Sequence, residues 1–186
     1  MRCTLAVAVL SGGGGTMAVA VAQAPGASAD GAHDFDWEIG VWRTDLRRLA
    51  KPLTGSTEWV EYHGTSTVRP VMGGKANLVE LDVTGPAGRI EGLALRLYDP
   101  AARQWSLNYS NSGSGTLSAP VVGAFANGRG VFFGVDVANG QAVLARFIIS
   151  EITKDSARFE QAFSGDGGVT WEVNWVAWDR RLVGSR

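Results

Sequence analysis

Cysteine is all but missing from this chain: the 186 residues include one, Cys3, so no intrachain disulfide can hold the fold together. Histidine is nearly as scarce, with His33 and His63 alone, and no Cys/His cluster can be assembled for a metal. Charge is balanced at 17 Lys and Arg against 18 Asp and Glu, which leaves no large field to attract nucleic acid or anionic lipid. No G-x-S-x-G elbow, H-E-x-x-H pair or P-loop occurs. Helical periodicity is absent too, apart from about one turn at Asp34–Glu38. These absences leave an all-β chain with no cofactor or metal expected.

The first 29 residues stand apart. Met1–Ala29 carries Arg2, then an alanine- and valine-rich run, and ends in Ala27-Ser28-Ala29 before Asp30, which resembles a secretory signal with a small-residue cleavage site. Cleavage is expected after Ala29, with Ala22 or Ala24 as alternatives because Gly12–Gly15 interrupts the apolar run. Met17–Ala22 is too short for a membrane span, which takes about 20 apolar residues. Cys3 lies too early for a lipoprotein cleavage site. The expectation is a secreted or periplasmic protein. Without Arg2 there remain 16 basic residues against 18 acidic. Roughly 157 residues suffice for one domain that buries roughly 68–70% of its unfolded surface; its bounds are expected at residues 33–180.

Within those bounds, period-two patterning and turn residues mark about ten strands. In Val41–Leu49, Trp42, Thr44 and Leu46 alternate with Arg43, Asp45 and Arg47, a half-buried strand. Thr57–Val68 sets Trp59, Glu61 and His63 on one face and Val60, Tyr62 and Val68 on the other. Asn139-Gly140 reads as a type I′ hairpin turn. Asn111–Pro120, rich in Ser and Gly, is the longest loop. All connections are short and none is a parallel crossover, so an antiparallel meander closed into a barrel is expected, closure being the way to remove exposed edges.

The hairpin Arg158–Trp178 organises the sheet. Its turn, Ser164-Gly-Asp-Gly-Gly-Val-Thr-Trp171, resembles the Asp-box of sialidases, a structural turn in the families that carry it, and no activity is carried over from it. Pairing Phe163 with Trp171 sets Phe159 against Trp175 on one face and Glu160 against Asn174 on the other. Pairing Phe147 with Phe159 places Arg146 against Glu160. A third hairpin around Asp99–Arg103 pairs Leu97 with Trp105, Leu95 with Leu107 and Leu93 with Tyr109. Aromatic rings are expected inside, with Arg96, Arg146, Glu160, Glu172 and Asn174 as an outer polar row. The inverted arrangement would bring Arg146 inside to bind a carboxylate.

The stretch Asp34-Phe35-Asp36-Trp37-Glu38-Ile39-Gly40-Val41-Trp42-Arg43 resembles the F-x-W/F-x-x-G-x-W opening of a family of uncharacterised bacterial secreted proteins with a lipocalin-like (calycin) barrel. Segments RRLAKPLTGSTEWVEYHGTS, EGLALRLYDPAARQWSLNYSNS and RFEQAFSGDGGVTWEVNW are similar to it as well, so the likeness covers roughly residues 33–178. The resemblance implies a fold and export, but no reaction, cofactor or catalytic residue. Haem-binding relatives among such barrels use a late histidine, and none follows His63 here.

A small barrel either fills with side chains or keeps a cavity for one small ligand. The candidate wall is Trp42, Trp59, Trp105, Tyr109, Phe147, Phe159, Gln161 and Trp175, with Gln161 and Tyr109 as orienting polar groups. Glu61 and His63, two apart on one strand face, are candidates for a general base with its partner, and Tyr109 is a further acid or base candidate. Three functions stay open: binding of a small apolar or amphiphilic molecule; isomerase, cyclase or hydrolase chemistry in the same pocket; and association through an aromatic surface that includes Trp178, with a homodimer as its simplest form.

Overall fold

Turn chemistry divides the described residues, 30–182 of the computed structural model, into ten strands. The expected leader, residues 1–29, lies outside the described residues. The strands are β1 (Gly40–Leu49), β2 (Trp59–Val71), β3 (Ala76–Gly85), β4 (Gly88–Asp99), β5 (Gln104–Asn111), β6 (Val121–Ala126), β7 (Arg129–Ala138), β8 (Gln141–Ser150), β9 (Ser156–Ser164) and β10 (Glu172–Arg181). Each pairs antiparallel with the next, and β10 returns to β1, closing the barrel in meander order. Asn139 and Gly140 both take positive φ, at 52° and 76°, in the β7–β8 turn, as a type I′ hairpin requires. Gly64 and Gly123 allow the strands to bend: a Cβ at either would come within about 2 Å of a carbonyl oxygen, Asp82 O and Val131 O respectively.

One end of the barrel is closed by the segment that precedes β1. Phe35 inserts between Trp105 and Phe125, edge-on to each at 4.9 Å, contacts worth about 0.5–1.5 kcal/mol apiece beyond their burial. A 3-10 turn at Asp36–Glu38 follows. Trp42, fully buried, donates its indole N–H to Glu38 O at 2.6 Å, and Trp105 donates to Gly31 O at 2.9 Å. Arg181 lies over the Trp42 ring at 4.0 Å and donates to the carbonyls of Trp37 and Ile39. The residues of the W-x-x-G-x-W stretch are therefore the plug and its fastening.

Three registers differ from the sequence expectation, each because a turn holds a different number of residues. Asp99 Oδ1 accepts from the N–H groups of Ala101 and Ala102 and Arg103 takes φ 53°, so Tyr98 rather than Leu97 pairs with Trp105. That one-residue slip exchanges the faces of β4. Ala94, Arg96 and Tyr98 point inward and Leu93, Leu95 and Leu97 outward, and Arg96 leaves the expected outer row. In the Ser164–Trp171 turn, Asp166 accepts from Thr170 N and Thr170 Oγ1, and Ser164 Oγ accepts from Gly168 N. This turn extends through Trp171, so Phe163 pairs with Glu172. A bulge between Val173 and Trp175 then restores the parity, bringing Trp175 opposite Gln161 and leaving Asn174 unpaired. Phe147 also faces Gln161 rather than Phe159, because Thr153 binds Ser156 N and Oγ and lengthens the β8–β9 turn.

Candidate binding cavity

The end opposite the plug is open, and a cavity of about 980 Å³ runs down the barrel. Its wall follows from strand parity. Leu46 on β1, Val79 and Leu81 on β3, Leu107 on β5, Ala145 and Phe147 on β8, Phe159 on β9, and Trp175 and Ala177 on β10 all face inward. Phe147 and Phe159 lie 6.2 Å apart, and Phe159 stacks on Trp37 at 6.5 Å, so aromatic surface descends one side to the plug.

Polar groups interrupt the wall at two levels. Midway, Gln161 Nε2 donates to Asn174 Oδ1 at 3.0 Å, and the bulge is what turns Asn174 inward, 2% exposed. Tyr109 also faces in; burial pushes its phenol pKa up, and nearby Arg48 opposes the shift. At the floor, Ser66 Oγ and Thr44 Oγ1 are 2.7 Å apart and Thr44 Oγ1 donates to Asp179 Oδ1 at 2.7 Å. Beside them Arg96 binds both carboxylate oxygens of Glu38, the Nη2–Oε1 bond at 3.1 Å, with both side chains buried. Burial pushes the Asp179 carboxyl up to about 7; the Glu38 charge adds to that shift, while the Thr44 hydrogen bond and Arg96 oppose it.

Of the candidate wall, the structure brings Tyr109, Phe147, Phe159, Gln161 and Trp175 to the cavity. Trp42 and Trp105 point inward at the closed end and belong to the plug. Trp59 does not join them: β2 parity puts it outside, under the Arg47 guanidinium at 4.7 Å, and Trp178 flanks the same guanidinium at 5.4 Å. Glu61 and His63 share that outer face. His63 Nδ1 meets Asp45 Oδ1 at 2.8 Å in an exposed pair, and this hydrogen bond lowers the Asp45 carboxyl pKa. The expected polar row is dispersed. Arg96 and Asn174 are inside, Glu172 accepts from Leu53 N at 2.5 Å at the open rim, and Glu160 bonds Arg158 at 2.6 Å on the outside. Arg146 stays outside over Trp171 at 4.6 Å, so the inverted arrangement is not adopted.

Sequence reasoning missed Glu38, Thr44, Ser66 and Asp179 as cavity groups. The alternation in β1 does place Thr44 on its inner face, but Asp179 falls just beyond the hairpin that sets the register, and Glu38 precedes the first strand. Among the described residues no group of three or more His, Cys, Asp or Glu is placed to hold a metal, and no helix is long and apolar enough to cross a membrane.

No protein-family model matches this chain, and no curated protein does. Among solved structures it is similar to an S-type phycobiliprotein lyase from Guillardia theta, with a TM-score of 0.57 at 13% identity over 80% of this chain and 90% of that one. A de novo designed fluorescence-activating β-barrel also aligns, with a TM-score of 0.42 at 15% identity over 83% of this chain and 99% of the design. The likeness to the lyase is one of barrel fold.

Proposed function

We propose that this protein is an exported binding barrel that holds one small apolar or amphiphilic molecule in its cavity. The observation that carries the reading is the open cavity of about 980 Å³ with apolar walls and a few convergent polar groups, the usual make-up of a small-molecule site. Export rests on the leader-like residues 1–29. Of the acid and base candidates of the catalytic alternative, Glu61 and His63 face outward on β2 and Tyr109 lines the cavity.

Titration with N-phenyl-1-naphthylamine, a neutral apolar dye, tests the reading. Saturable one-to-one binding with a blue-shifted emission is expected, and Ala94→Phe, which fills the cavity from β4, should weaken it at least tenfold. Binding that is absent, or indifferent to Ala94→Phe, would refute the cavity as the site. Association has one observation of its own: Phe133, Val135 and Val137 are more than half exposed along the outside of β7, beside Trp171. Sedimentation velocity tests it, a concentration-dependent dimer supporting it and a monomer at all concentrations removing it.

A further inference from the structure

The cavity floor is asymmetric in charge. Glu38, in the 3-10 turn, and Arg96, on β4, neutralise each other, each terminal nitrogen of Arg96 donating one N–H to that carboxylate. The remaining nitrogen, Nε, is buried without a partner. An anionic head arriving at the floor would therefore meet a guanidinium whose charge Glu38 already compensates. Arg181, the other nearby cation, is held against Trp42 by the carbonyls of the plug. Asp45 is on the opposite face of β1 and contributes a further negative charge at longer range.

Asp179 is the floor group whose capacity is unspent. It lines the cavity at 4% exposure. Its Oδ1 takes the Thr44 hydroxyl proton, so Ser66 donates in turn to Thr44, and every hydrogen in this chain points toward the carboxyl. Oδ2 has no protein partner among the described residues. A carboxylate oxygen left without a protein partner in a cavity wall takes a hydrogen-bond donor from the ligand, and a charged donor is bound more strongly than a neutral one. The rings of Phe159 and Trp175 on the same wall add surface that favours a cation over an anion.

We infer that the cavity is built for an amphiphile with a cationic head, a primary amine or similar nitrogen base, seated with its ammonium on Asp179 and its hydrocarbon against the apolar wall. This rests on the cavity being a binding site and specifies which molecules it takes. The floor carboxyl, raised to about 7 by burial, is mostly protonated at pH 6 and mostly ionised at pH 8, whereas an alkylammonium stays charged across this range, its pKa being about that of lysine. Amine binding therefore strengthens about tenfold between these pH values, and binding of a neutral analogue stays flat.

Calorimetric titration with decylamine, decanol and decanoate distinguishes the cases. Decylamine is expected to bind at least tenfold tighter than decanol at pH 8 and decanoate weakest of all. Asp179→Asn, which still accepts from Thr44, should bring decylamine down to the decanol level and leave decanol unchanged. The pH dependence in the unsubstituted protein gives the same answer without a variant. Decanol binding as tightly as decylamine, or an amine preference that survives Asp179→Asn or is flat with pH, would overturn this inference while leaving the cavity reading intact. Failure of all three to bind would overturn both.

Discussion

Asp179 has a consequence for stability that is independent of any ligand. Its carboxyl has an ordinary value of 3.8 in the unfolded chain and about 7 in the barrel, so the native state favours the protonated form. Stability associated with this group is fully present below pH 3.8 and is lost as pH rises through about 7. A tenfold change in proton affinity corresponds to about 1.4 kcal/mol, so the rise from 3.8 to about 7 amounts to about 4 kcal/mol in all. Roughly 1.5 kcal/mol of it is already lost by pH 5, where the unfolded chain is ionised, which leaves about 2–3 kcal/mol between pH 5 and pH 8. Asp179→Asn removes the titration and keeps the shape. Urea unfolding of both proteins at the two pH values isolates the contribution of this carboxyl, because the other titrating groups cancel in the difference. The variant should gain about 2–3 kcal/mol relative to the unsubstituted protein on going from pH 5 to pH 8. A stability difference that does not change with pH would refute the reasoning and mean that Asp179 is solvated or paired well enough to ionise in its ordinary range.

Other perturbations test other parts of the design. Arg96→Met strands the Glu38 carboxylate in the plug and should cost about 3–5 kcal/mol, most of it recovered in the double variant Glu38→Leu with Arg96→Met; urea midpoints that barely move would show the pair to be hydrated. Phe147→Ala should weaken dye binding about tenfold and Trp59→Ala less than twofold, since one ring lines the cavity and the other lies outside under Arg47; equal losses in fluorescence titration would contradict the strand parity. Asp166 is held at about 2 by hydrogen bonds from Thr170 and Ser164. Its contribution is thus present above the ordinary 3.8 and lost as pH falls through about 2. Asp166→Ala should lower the melting temperature at pH 7 without altering dye affinity, and an unchanged melting curve would show the turn to be indifferent to its carboxylate.

The alternation of Trp42, Thr44 and Leu46 against Arg43, Asp45 and Arg47, the Asn139-Gly140 turn and the absence of any helical stretch determined the class, the strand count and the inner face of β1, because pleat geometry ties side-chain direction to sequence parity. The same rule correctly put Glu61 and His63 on the face opposite Tyr62. It failed where parity is reset by something other than the strand itself. Asp99 capping a four-residue loop turned Arg96 inward and three leucines outward, against their hydropathy, and a one-residue bulge brought Asn174 into the cavity beside Gln161. Neither event leaves a periodic signal, since each depends on side chain to backbone hydrogen bonds formed only once the hairpin closes. Glu38 and Arg96 are 58 residues apart, and Thr44 and Asp179 are 135 apart. Only closure of β10 onto β1, with the plug set across one end, brings them to a common floor. Sequence by itself determined that a barrel with an aromatic interior would form; the tertiary structure decided which polar groups it encloses, because burial and charge compensation are properties of neighbours in space.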